Sequence, residues 1–110
     1  NNYILHTLKN EGIAIAELFC CPHSDKDKCK CRKPSPYFAH VAAKKHNVDL
    51  SKSYMIGDHP SDVRFADNFG GTGLYVLTGH GKNHLDDAPK QKIFPSLKEA
   101  ADWILSLSCE

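Results

Sequence analysis

Four stretches of the chain place apolar residues three or four positions apart, and three others gather them into short continuous runs. Between Tyr3 and Asn10, Ile4, Leu5 and Leu8 share one helical face, and Gly12 supplies a stop. Ile13 to Phe19 is then almost unbroken apolar, with Glu17 the main exception, which predicts a strand covered on both faces. A second helix opens with Ser35 as cap and Pro36 in its first turn, and carries Phe38, Val41, Ala42 and Lys45 at helical spacing to about His46. Tyr54-Met55-Ile56 reads as a second strand, ended by Gly57-Asp58. Pro60 and Ser61 open a third helix that turns Val63, Ala66 and Phe69 inward and stops at Gly70-Gly71. The third strand is Gly73 to Leu77; a polar loop from Thr78 to Lys92 and a closing helix from Ser96 to Leu107 complete the chain.

Helices that alternate with short apolar strands build a parallel sheet with helices on its faces, joined by right-handed crossovers. The fold class expected is therefore α/β, a partial Rossmann-like parallel sheet with flanking helices. In such sheets ligands gather beyond the carboxyl ends of the strands. The two chemically suggestive segments, Cys20 to Lys33 and Gly57 to Asp62, both leave strands at that end, so they should meet in space.

Composition narrows the function. The 110 residues suit one modest core. Fourteen basic against thirteen acidic residues leave a net charge of +1, so no basic field advertises a nucleic-acid partner. No apolar run approaches membrane-spanning length, which excludes a membrane anchor. The chain begins Asn-Asn-Tyr, in what reads as the tail of a helix, with no targeting segment; it has the look of a piece of something longer. Of five cysteines, Cys20, Cys21, Cys29 and Cys31 crowd into twelve positions. A disulfide scaffold would spread them out, so the crowding argues for metal in a reducing, cytoplasmic compartment.

Cys21-Pro-His23 followed by Cys29-Lys-Cys31 offers four soft or borderline ligands that can fold around one tetrahedral zinc. Local disulfides or free thiols are the alternative, and C-x-C pairing would close a very small ring. Four protein ligands leave no open position, which makes the zinc structural, the organiser of a loop over residues 20–34. Without a ligand nothing in that charged stretch repays the entropy of ordering it. Arg32-Lys33 follows the last ligand. On a free loop such a pair is solvated surface; held between a metal and a helix start it can clamp a phosphate, the guanidinium by a bidentate grip and the ammonium as a point charge. Gly57-Asp58-His59-Pro60-Ser61-Asp62 is a G-D-x-x-x-D turn between strand and helix. Asp58 either caps the helix or ligates Mg2+, which needs one or two carboxylates, waters and a substrate phosphate. Asp62, one turn on, either orients Lys33 or stabilises the helix start. His59 is either solvated or in touch with substrate.

Together these motifs resemble the zinc-containing branch of the haloacid dehalogenase superfamily, the D,D-heptose 1,7-bisphosphate and histidinol-phosphate phosphatases. The resemblance spans about residues 3 to 80. It implies that a catalytic aspartate attacks the phosphate, that a second acts as acid and base, and that Mg2+ bridges them to substrate. It assigns Lys33 to the phosphoryl group, Arg32 to substrate recognition, Asp58 to Mg2+ as part of the catalytic set, and Cys21, His23, Cys29 and Cys31 to zinc. His59 stands where the family often has Lys or Arg beside the metal aspartate, in the substrate-binding zone.

The nucleophile of the family lies in a D-x-D segment upstream, and no strand in this chain ends in one; Asp25-Lys-Asp27 has the spacing but sits inside the zinc loop. The expectation is the carboxyl-terminal part, over residues 1–110, of a single phosphatase domain, inactive by itself. Its substrate would be a small phosphorylated metabolite. Leu77-Thr78-Gly79-His80-Gly81 resembles the T-G-x-G segment of the heptose bisphosphate branch, while the five-residue spacer between His23 and Cys29 suits histidinol-phosphate phosphatases equally. A non-catalytic zinc-stabilised binding module is the other alternative. A sheet truncated in this way exposes an edge and predicts self-association across it.

Overall fold

A computed structural model describes residues 2–21, 29, 31–88 and 92–107. Helix α1 (Asn2–Asn10) ends as its sequence requires: Gly12, at φ +80°, donates to the Lys9 carbonyl at 3.0 Å, and Ile13 returns to Leu8 at 2.8 Å. Helix α2 (Tyr37–His46) starts later than its cap signal suggests, with Pro36 at the N-cap and no side-chain cap bond, and closes on Asn47 in the left-handed region. Strand β1 (Tyr54–Gly57) leads into α3 (Pro60–Phe69), which the left-handed Gly70 terminates. Strand β2 (Thr72–Val76), a 3-10 turn over Gly81–Asp87, the two-residue strand β3 (Ile93–Phe94) and α4 (Leu97–Leu107) follow.

The sheet is parallel, in the order β1-β2-β3, with Ile56 opposite Leu74 and Tyr75 opposite Ile93. Its middle strand is buried on both faces. Leu74 and Val76 pack with Ala100 of α4 and with Ile56, Phe94, Trp103 and Ile104, whereas Tyr75 packs with Val63 of α3, Ala88, Leu77 and Ile93. Full burial of a side chain the size of Leu74 contributes about 1.5–3 kcal/mol, which is why a five-residue strand can anchor the domain.

One expected strand is absent among the described residues, and one that was not expected is present. Ile13 to Phe19 joins no ladder, and Ile13, Ile15 and Leu18 remain 47, 44 and 37% exposed. A strand forms only where a neighbour accepts its hydrogen bonds, and the described residues put none beside it. The segment is fastened instead through its polar exception: Glu17 accepts from Lys45 at 3.0 Å and pairs with His46 Nε2 at 2.8 Å at the end of α2. Phe19 lies 5.1 Å from Phe38, ring centre to ring centre. Conversely β3, too short to announce itself by periodicity, exists because Lys92 and Phe94 accept from Tyr75 on the buried strand β2 and from Leu77 just past its end. No helix among the described residues is long and apolar enough to cross a membrane.

Candidate functional site

The two segments expected to meet do so, beyond the carboxyl end of β1. Cys21, at the end of the run Ile13 to Cys21, faces Cys29 and the buried Cys31 across sulfur separations of 3.4 and 3.2 Å, with 3.5 Å closing the triangle. Zinc–thiolate bonds of about 2.3 Å in a tetrahedron place sulfurs about 3.8 Å apart, so the three Sγ atoms fit three corners of such a site. Their protons are unevenly held. Cys29, against the opposing pull of its desolvation, is drawn down to about 7 by hydrogen bonds from Cys21 and from the backbone of Cys31 and Arg32, while Cys31 is pushed up to about 12 by Cys21 and its desolvated position. His23, the fourth ligand expected, lies outside the described residues, as do Asp25 and Asp27.

From Cys31 the chain turns sharply. The Ser35 amide donates to the Arg32 carbonyl at 2.9 Å, and Asn68 of α3 donates to the Pro34 carbonyl at 2.8 Å. This second bond docks the basic pair against α3, and the Lys33 ammonium donates to the Asp62 carboxylate in the first turn of that helix. Arg32 is exposed next to it.

The turn after β1 separates two carboxylates into two jobs. Asp62 is buried at 4% exposure; besides the ion pair with Lys33 it accepts the His59 amide at 3.2 Å, so both contacts weighed for it are present. Its approach demands glycine at 57, since a Cβ there would stand 2.1 Å from Asp62 Oδ2. The helix cap is His59, whose Nδ1 accepts the Ser61 amide at 3.1 Å. Asp58 is thereby released from capping. Its Oδ2 accepts the His80 amide at 2.8 Å, and this bond holds its carboxyl below the usual range in spite of partial desolvation. An ionised, half-buried carboxylate at a strand end has the oxygen chemistry Mg2+ takes, supplying one of the one or two carboxylates such a site uses.

The segment that supplies that amide is the Leu77 to Gly81 run, singled out in the sequence for its T-G-x-G pattern but not expected to touch Asp58. Thr78 to Gly81 folds back over the end of β1, and Gly79, at φ +62°, passes so close that a Cβ would lie 2.3 Å from Asp58 Oδ2. His84, three residues further, packs its ring against that of His59, tilted, with ring centres 4.4 Å apart. The readable signal was a Gly-His-Gly run leaving the carboxyl end of a buried strand, where ligand-facing backbone is expected. Beside the site, between Phe19, Cys21, Arg32, Lys33, Tyr54 and Met55, runs an open groove of about 740 Å³.

Comparison with known proteins finds the same architecture. The HAD-hydrolase-like family profile matches residues 30–100. A D-glycero-beta-D-manno-heptose-1,7-bisphosphate 7-phosphatase of Neisseria meningitidis is 32% identical over 107 residues, 92% of this chain and 57% of that protein. The histidine biosynthesis bifunctional protein HisB of Legionella pneumophila is 32% identical over 106 residues, 92% of this chain and 30% of its own length. Among solved structures, the D,D-heptose 1,7-bisphosphate phosphatase of B. bronchiseptica, complexed with magnesium and phosphate, superposes with a TM-score of 0.85 at 28% identity over 96% of this chain and 61% of that one. The chain thus spans little more than half the length of the heptose phosphatases it matches, and less of HisB.

Proposed function

Because the chain belongs to the HAD-hydrolase-like family, we propose that its 110 residues form the carboxyl-terminal part of a single phosphatase domain acting on a small phosphorylated metabolite, D,D-heptose 1,7-bisphosphate foremost. The observation that carries this reading is the joining of Lys33 to the first turn of α3 through Asp62, which brings a phosphate-binding cation to the same strand end as the Asp58 carboxylate. In that arrangement Lys33 neutralises the phosphoryl oxygens, Arg32 grips substrate, His59 borders the substrate zone, and Asp58 holds Mg2+. Bound there, Mg2+ would supply charge neutralisation and alignment of the phosphate. Cys21, Cys29 and Cys31, with His23, hold a structural zinc that keeps Arg32-Lys33 in place over residues 20–34.

Phosphoryl transfer through an aspartyl-phosphate needs an attacking carboxylate, and none of the described strands ends in D-x-D. The groove beside Lys33 supports its entry on a separate strand: among the described residues β1 is an edge strand, and Tyr54 and Met55 line the groove. The chain alone is therefore expected to be inactive, and its open β1 edge would pair with a second copy. Sedimentation at increasing concentration reads that pairing, and a strictly monomeric chain would contradict it. The relatedness to HisB supports histidinol phosphate as the alternative substrate. The deciding assay takes the gene with its upstream coding sequence, tests both phosphates with Mg2+, and compares Lys33→Ala. Hydrolysis of the heptose bisphosphate in preference, abolished in the variant, is expected. Phosphate binding without turnover of either compound would favour the non-catalytic zinc-stabilised module.

A further inference from the structure

We propose that Tyr75 and His84 are positioning residues for Asp58: they pin the strap from Thr78 to His84 at two points, so that the His80 amide is presented to the Asp58 carboxylate. The consequence for a cation rests on the reading of Asp58 given above; the strap itself does not.

Tyr75 lies in the middle of β2 with no exposed surface, yet its hydroxyl is not spent on the core. It donates to the Gly81 carbonyl at 2.6 Å. A buried tyrosine hydroxyl needs a partner, and phenylalanine would fill the same volume without one. The position therefore selects for a bond to the strap. Gly81 is itself pressed onto the strand end, where a Cβ would stand 2.0 Å from the Val76 carbonyl oxygen. Three residues on, the His84 ring packs against His59 at 57° between planes. His59 is the residue between Asp58 and α3, fixed by its bond to Ser61. One anchor is thus set by β2 and the other by the helix cap that follows Asp58. Residues 79 and 80 lead from the end of β2 into the first anchor at Gly81, with Gly79 in the left-handed region and the His80 amide 2.8 Å from Oδ2. That backbone donor turns Oδ2 toward the strap.

Amide exchange by NMR on the chain itself tests this, with Tyr75→Phe, His84→Ala and His84→Phe. The His80 amide should exchange about tenfold faster in Tyr75→Phe and in His84→Ala, while the amides of Leu74 and Val76 keep their protection, and His84→Phe should restore the slow rate by preserving the ring contact. Mg2+ alone, titrated while the amide shifts of Asp58 and His59 are followed, should bind about three- to tenfold more weakly to Tyr75→Phe. An unchanged His80 rate overturns the proposal. So does acceleration spread evenly over β2, which would make Tyr75 a core residue only, or a freed strap with undiminished Mg2+ affinity. If the unaltered chain gives no Mg2+ response while Tyr75→Phe still frees His80, the cation role of Asp58 fails and the strap's hold on its carboxylate stands.

Discussion

Lys33 and Asp62 form an ion pair across 29 positions with its two ends in different surroundings: the Asp62 side chain is 6% exposed, that of Lys33 45%. Asp62 is committed to the helix it caps, whereas Lys33 reaches it from a loop and keeps one side in solvent. The pair therefore fixes the direction of the cation without hiding it from a ligand.

Removing that carboxylate separates its two jobs. Asp62→Asn leaves an acceptor for the His59 amide and removes the charge; Asp62→Ala removes both. The first should cost about 1–2 kcal/mol, kept below the figure for a fully buried pair by the solvent around Lys33, and the second about 1 kcal/mol more for the lost cap. Urea unfolding midpoints at constant slope read the difference, and equal losses in the two variants would contradict it.

Gly79→Ala puts a methyl group where Asp58 Oδ2 now stands and forces a side chain into the left-handed region. Because the collision is with the carboxylate, Mg2+ affinity measured by calorimetry should fall about tenfold or more, against a change in stability of only about 1 kcal/mol. Undiminished affinity would mean that Asp58 is not the cation ligand.

The zinc reading has a direct elemental test. Purified chain should carry close to one zinc, a content that collapses in Cys31→Ser and survives in Cys20→Ser, because Cys20 is exposed and outside the sulfur triangle. Stripping the metal should also speed exchange at the Ser35 amide, which closes the turn carrying Arg32 and Lys33. A chain that retains its fold and that protection with no metal bound would remove zinc as the organiser of the loop.

Acid should loosen the Ile13 to Phe19 segment from α2. The Glu17 carboxyl sits below its ordinary value of 4.5, chiefly through the hydrogen bond to His46 and then that to Lys45. A carboxyl with a depressed folded-state value stabilises fully above the unfolded value and loses that contribution as pH falls through the folded one. The loss thus begins near pH 4.5 and proceeds downward. Carbon-13 titration of Glu17 should give a midpoint under 4.5 that moves back up in His46→Ala, and Glu17→Gln should flatten this part of the stability profile.

Local chemistry was fully legible along the chain wherever it is settled by neighbours in sequence. Gly12 and Gly70 end their helices because only glycine enters the left-handed region there at no cost, and Tyr54 to Ile56 and Gly73 to Val76 are strands because unbroken apolar runs suit a sheet covered on both sides. The crowding of Cys21, Cys29 and Cys31 likewise foretold their convergence, since short spacers leave three sulfurs little choice.

Relations that depend on what lies across the fold were decided by tertiary structure alone. Ile13 to Phe19 has the composition of a strand and forms none, because hydrogen bonding requires a neighbour that no residue pattern can promise. Asp58 and Asp62 are both plausible caps by spacing; what divides them is the His80 amide, 22 positions away, which reaches Asp58, and Lys33, which reaches Asp62. The sequence by itself determined which residues carry charge, ligand chemistry and turn geometry. Packing decided which of them touch, because a side chain's partner is chosen by the shape of the whole core and not by its place along the chain.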